Sequence, residues 1–176
     1  MRALIVFLCA IAATVAVVAS AAAAARDNGQ FSLERGRGSA ALELRGVVLG
    51  RLTTGTLRVT DLTPRDRFVP TVSGRKVTAS RIGPKTTLYR GAGIRFKVLG
   101  GRYRIVLRGA GMSVSAVGVG DVVLDGDPRW LGDDIGVFSL EGVDCVMESE
   151  LCLPVPTEST RYELGSDEST TGKGAR

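Results

Sequence analysis

The chain contains no histidine. That removes imidazole from every role it commonly fills: the base of Ser-His-Asp and Cys-His hydrolases, the proton carrier near neutral pH, and the most frequent zinc ligand. Any acid–base chemistry has to use carboxylates, lysine, tyrosine or serine. Cysteine is scarce, with three in 176 residues, and aromatic residues make up 5% of the chain. Two or three cysteines without histidine do not make a zinc site. Past residue 25 no window sustains the i, i+3, i+4 apolar spacing of an amphipathic helix. No stretch there approaches the ~20 apolar residues of a membrane helix.

What is present begins with the N-terminus. "MRALIVFLCAIAATVAVVASAAAAA" has one cation, Arg2, then an apolar run, then a tract of small residues. This is the layout of a secretory signal peptide over 1–25, with cleavage expected near Ala25. The alternative is an uncleaved membrane anchor, since Leu4 to Ala25 is long enough to span a bilayer. Cys9 follows Leu8 rather than the small residue of a lipoprotein signal. The expected location is therefore secreted or extracytoplasmic. There, Cys145 and Cys152 are expected to form a disulfide across "CVMESELC". One domain is expected over 26–164, followed by a disordered, polar C-terminal tail over 165–176.

The net charge of +5 conceals two opposed halves. Residues 26–108 carry 18 Lys/Arg against 5 Asp/Glu, whereas 109–176 carry 4 against 13. Such asymmetry points to a basic binding face or to complementary surfaces within or between molecules.

Short runs rich in valine, threonine and isoleucine, separated by Gly, Asp and Pro, fill residues 31–142. They predict an all-β fold, an antiparallel sandwich or partly open barrel. A small β-solenoid is the alternative, because "LELRGVVLGRLTTGTLRVTD" and "MSVSAVGVGDVVLDGD" echo one another. Within "GIRFKVLGGRYRIVLRG" a Gly100-Gly101 turn predicts a hairpin that sets Phe96 against Ile105. Period-two alternation then puts Ile94, Phe96, Val98, Tyr103, Ile105 and Leu107 on one face. Arg95, Lys97, Arg102, Arg104 and Arg108 fall on the other. Together these five make a candidate anion-binding surface, since guanidinium groups grip phosphate and carboxylate in bidentate fashion. Outside the cytoplasm its partners are expected to be an anionic envelope polymer, lipid headgroups or an acidic protein. The plainer reading is a cationic face that packs beside the acidic half or keeps a sheet edge from aggregating.

Other motifs carry less. "SGRK", Ser73 to Lys76, has the S-x-x-K spacing of serine β-lactamases, but a glycine interrupts it and no partner motif follows. "DVVLDGDPRWLGDD" offers Asp125, Asp127, Asp133 and Asp134 as a weak calcium candidate. It lacks the spacing of an EF-hand, and Asp-Gly and Asp-Pro are ordinary turn formers. Trp130 reads as a core or lid residue rather than a sugar platform. "RGAGIRF" has Ala92 and Ile94 where an RNA-binding strand needs stacking aromatics, so no nucleic acid is expected. No cofactor is expected.

The stretches "GRLTTGTLRVTDLTPRDRFVPTVSG", "GGRYRIVLRGAGMSVSAVGVGDVVLDGD" and "GVFSLEG" resemble a group of small exported bacterial β-rich proteins without an assigned activity. The resemblance covers residues 30–142. It implies a non-enzymatic extracytoplasmic domain and carries over no catalytic residues. Beside a contact module for an anionic partner, two alternatives stand: a self-assembling envelope structural module, and a hydrolase that works through carboxylates.

Overall fold

A computed structural model describes residues 28–165, except Leu131 and the side chain of Asp133. The leader expected over 1–25 lies outside them, as does the expected tail from residue 166 onward. The regular elements are β1 (Gly29–Asp61), β2 (Thr71–Gly83), β3 (Thr86–Gly126), β4 (Val137–Ser139), β5 (Leu153–Pro154) and β6 (Thr160–Leu164). Two single-turn 3₁₀ segments, Gly132–Ile135 and Ser149–Leu151, interrupt them. There is no α-helix among the described residues. Every strand pair is antiparallel. The fold is therefore all-β and built on one antiparallel sheet, which does not close. The solenoid alternative falls, because stacked coils need parallel neighbours.

At 33 and 41 residues, β1 and β3 far exceed an ordinary strand of ~3–10 residues. They reach this length because each pairs with the other along both of its edges. One edge of β1 runs beside β3 from Thr60↔Thr86 to Gly29↔Gly118; the other runs from Asp61↔Tyr103 to Gly38↔Gly126. β2 adds an outer strand against the first half of β3. β6 pairs with Gly120–Leu124, and β4 with Ser32–Glu34.

Such strands have to bend, and glycine marks the bends. Gly126, Gly38, Gly109, Gly55 and Gly91 stand abreast on five neighbouring segments, and Gly29, Gly118 and Gly46 form a second row. At Gly55 (φ +138) and Gly109 (φ +147) the backbones approach so closely that a Cβ on either would strike the facing chain. The Arg108 carbonyl oxygen would meet one and the Thr54 carbonyl oxygen the other. Only glycine combines that φ with that proximity.

The same row resets the alternation. On β1 the buried residues are even-numbered from Ala40 to Leu52, then odd-numbered at Leu57 and Val59. On β3 they switch from Tyr103, Ile105 and Leu107 to Met112, Val114 and Ala116. These side chains belong to a single core cluster, with Leu42, Leu52, Leu57, Ile94 and Ile105 fully buried. Among the described residues no helix covers this apolar face.

The predicted hairpin is not formed. β3 runs straight through Gly100 and Gly101, both at positive φ (81 and 76). Pairing steps from Val47↔Leu99 to Arg45↔Arg102, three residues on β3 against two on β1, so the glycines hold a one-residue bulge. The local preference of Gly-Gly for a tight turn loses to the ladder that both flanking segments make with β1. Segregation of the two faces survives all the same. Phe96 is 4% and Ile105 0% exposed, while Arg95, Lys97, Arg102, Arg104 and Arg108 face out.

The β1–β2 connection is tied to this bulge. Thr63 donates its hydroxyl to Asp66 (2.5 Å) and accepts the Arg102 amide (3.0 Å). The Tyr103 hydroxyl donates to the Phe68 carbonyl at 2.5 Å. Burial pushes the Tyr103 phenol up to about 12, assisted by the charges of Asp61 and Asp66. In the unfolded chain it ionises near ~10. The stability gained by keeping it neutral is thus complete below pH ~10 and is lost as the pH rises toward 12, with a slope approaching ~1.4 kcal/mol per pH unit. Urea unfolding between those pH values should show this alkaline loss in the wild type, and Tyr103→Phe should flatten it. Equal slopes would contradict the assignment.

Candidate functional site

The five predicted cations do not lie together. Without the hairpin, Arg104 faces Glu43 and Thr60 rather than Lys97, and Arg102 faces Arg45. Arg102 and Arg104 both donate to Glu43, at 2.9 and 2.5 Å. The hydrogen bond from Arg104 leads in holding the Glu43 carboxyl below its ordinary range. One carboxylate thus answers both guanidinium groups, whose side chains remain 53% and 57% exposed. Arg108 stands in a separate row between Thr56 and Ser39. Arg95 and Lys97 remain neighbours on another stretch of β3, away from the Arg102–Arg104 pair.

Arg95 instead meets two arginines that the sequence reading passed over. In β1, Arg51 pairs directly with Arg95 across the strand, and Arg95 in turn pairs with Ser73 of β2. Two register shifts in the β2–β3 ladder bracket Arg75, between Ser73↔Arg95, Arg75↔Ala92 and Thr78↔Arg90. Lys76, at φ 51, takes up the distortion. Bulges of this kind re-aim the side chains beside them. Arg51, Arg75 and Arg95 thereby line a cleft of about 340 Å³, with Ser73, Thr53 and Gly93 at its walls.

The charge there is poorly compensated. Like charges directly opposite one another in a sheet are destabilising. Glu34, whose Oε2 lies 3.6 Å from Arg51 and accepts the Ser113 hydroxyl at 2.6 Å, offsets one of the three. Among the described residues neither Arg75 nor Arg95 makes an ion pair. The acidic half does not supply one. Its own ion pairs, Arg161 with Asp121 and Arg129 with Asp127, join residues within that half. Two guanidinium groups without an ion pair and a third shared with Glu34, flanked by two hydroxyls, can hold a polyanionic group by charge-assisted hydrogen bonds.

The remaining expectations are placed as follows. "SGRK" lies in the extended β2, where Ser73 and Lys76 do not share the helical turn that a Ser-Lys nucleophile requires. Its contribution is Arg75. Asp127 is held at about 2, chiefly by the hydrogen bonds from the Arg129 side chain. Asp125 of β3 pairs with Ser39 of β1, and Asp134 sits exposed in the first 3₁₀ turn. The Asp133 side chain lies outside the described residues. Among the described residues no three metal-ligating side chains gather. Trp130 is 40% exposed, and the Arg37 guanidinium stacks on its ring at 3.9 Å. It rims a second cleft, about 520 Å³, whose floor is Gly38, Gly55 and Gly109. Cys145 and Cys152 lie at disulfide distance, as the sequence predicts.

No protein-family model matches this chain, and no curated protein or solved structure matches it.

Proposed function

We propose that this chain is a non-enzymatic, extracytoplasmic β-domain that binds an anionic group through the Arg51–Arg75–Arg95 cleft. One observation carries the reading. Two arginines face each other across adjacent strands, a bulge directs a third toward them, and only Glu34 answers the three. Folding does not call for this arrangement, and departures from local rules are expected where a site is held ready for a ligand. Phosphate and sulfate groups fit best, since their oxygens accept several parallel N–H bonds. The scaffold on this reading is a two-layered antiparallel sandwich whose long strands pass from layer to layer at the glycine rows.

Calorimetric titration with inorganic tripolyphosphate tests it. Charge-assisted hydrogen bonds contribute about 1.5–3 kcal/mol each, so Arg75→Gln with Arg95→Gln should weaken binding about a hundredfold. Added salt should weaken the wild-type complex and have less effect on the variant. Arg102→Gln, which removes a cation already committed to Glu43, should leave affinity within about twofold. Equal losses in the two variants would show diffuse attraction to a basic protein, not a site.

A further inference from the structure

The cleft is one end of a larger exposed surface. Three successive outward rows cross β3, β1 and the second half of β3. They read Arg95–Arg51–Ser113, then Lys97–Leu49–Ser115, then Leu99–Val47–Val117; Ser113 itself is buried, its hydroxyl donating to Glu34. Outward positions of a sheet normally carry polar side chains. Here Leu99, Val47, Val117 and Leu49 are 47%, 38%, 42% and 44% exposed and adjoin one another. Within four residues along the strands, ~13 Å, the surface passes from guanidinium through lysine to purely aliphatic. The four apolar residues include no aromatic, and the nine positions include no carboxylate, although Glu34 reaches Arg51 and Ser113 at the arginine end.

We infer that this face docks on an anionic lipid bilayer, with the arginine cleft on headgroup phosphates and the aliphatic row in the outer acyl region. The inference rests on the anion-binding reading of the cleft and names the source of the anion. An interfacial membrane surface combines an apolar strip with basic flanks and penetrates ~5–10 Å. The graded rows match that order, since an arginine can reach phosphates while the aliphatic end sits deeper. A soluble phosphate polymer would account for the cleft and leave the aliphatic row in water.

The test uses the full chain with its methyl groups labelled for NMR, mixed with vesicles that carry a nitroxide lipid. Vesicles of phosphatidylglycerol should attenuate the methyl signals of Val47, Leu49, Leu99 and Val117, and vesicles of phosphatidylcholine alone should spare them. Val47→Thr, Leu49→Thr and Leu99→Thr together place strand-forming β-branched residues at all three positions and should lower the preference for phosphatidylglycerol about tenfold. The same variant should bind tripolyphosphate as the wild type does. Uniform attenuation, or an unchanged lipid preference in the threonine variant, would overturn the membrane reading while leaving the cleft in place. Loss of tripolyphosphate binding by the wild-type chain would remove the cleft and this inference together. Perturbation of the methyl signals of these four residues by protein concentration alone would assign the face to a second copy of the chain and contradict the lipid assignment.

Discussion

Gly109→Val should yield no folded protein. Gly109 sits at φ +147 with the Thr54 carbonyl oxygen and the Gly55 Cα in the space a Cβ would take. Both obstacles are backbone, so no side-chain rotation relieves the clash, and the β1–β3 ladder would have to part where the sheet bends. Valine adds a β-branch to a φ it cannot adopt without strain. The expected cost exceeds ~5 kcal/mol, which is as large as the whole stability of many domains. Circular dichroism and solubility report the outcome. Gly93→Asn is the control. Gly93 also has positive φ (+59), yet nothing lies within 4 Å of its would-be Cβ. Asparagine visits that conformation at small cost, so the change should stay within ~1 kcal/mol. A Gly109→Val protein that melts like the wild type would mean that the strands do not cross there as described.

Phe96→Ala should cost about 3–5 kcal/mol, the range for emptying a buried aromatic site. Its ring, on a residue 4% exposed, lies against Gly50 of β1, where an added Cβ would strike its Cζ and Cε1 atoms. The two positions are therefore coupled. Gly50→Ala alone should destabilise by overpacking, ~1–3 kcal/mol, because the ring has to move. In the Phe96→Ala background the same methyl enters vacated space and should cost little or even stabilise. Denaturant melts of the four proteins give a double-mutant cycle with a coupling of at least ~1 kcal/mol. Strict additivity would contradict the packing of Phe96 over Gly50.

Much of the fold was legible because period-two patterning is local. The apolar set from Ile94 to Leu107 is the buried set, and the outward cations are outward. The partner of each strand was not legible. A Gly100-Gly101 pair between alternating runs is a strong hairpin signal, and the physics of that signal is correct for a two-stranded ribbon. It fails where both flanking runs find a longer neighbour, because a glycine pair at positive φ serves a bulge as well as a turn. The phase changes near Gly55 and Gly109 were hidden for the same reason. They follow from how strands cross, not from any residue's own preference.

The site followed the register. Arg95 was visible as an outward cation, but its meeting with Arg51 depends on a pairing between residues 44 positions apart in sequence. Arg75 was hidden inside "SGRK", whose place between two register shifts of β2 is set by pairing with β3. Conversely, Arg102 and Arg104 looked like the centre of a binding face and turn out to be committed to Glu43. Composition located the charge in the N-terminal half. Only pairing decides which charges stay available.

The most direct measurement follows the arginine Nε–H resonances during titration with tripolyphosphate. The signals of Arg51, Arg75 and Arg95 should shift together and saturate with one affinity. Those of Arg102 and Arg104, and of Arg129 and Arg161 with their aspartate partners, should hold still. Shifts spread evenly over all the arginines, or confined to Arg102 and Arg104, would contradict the cleft.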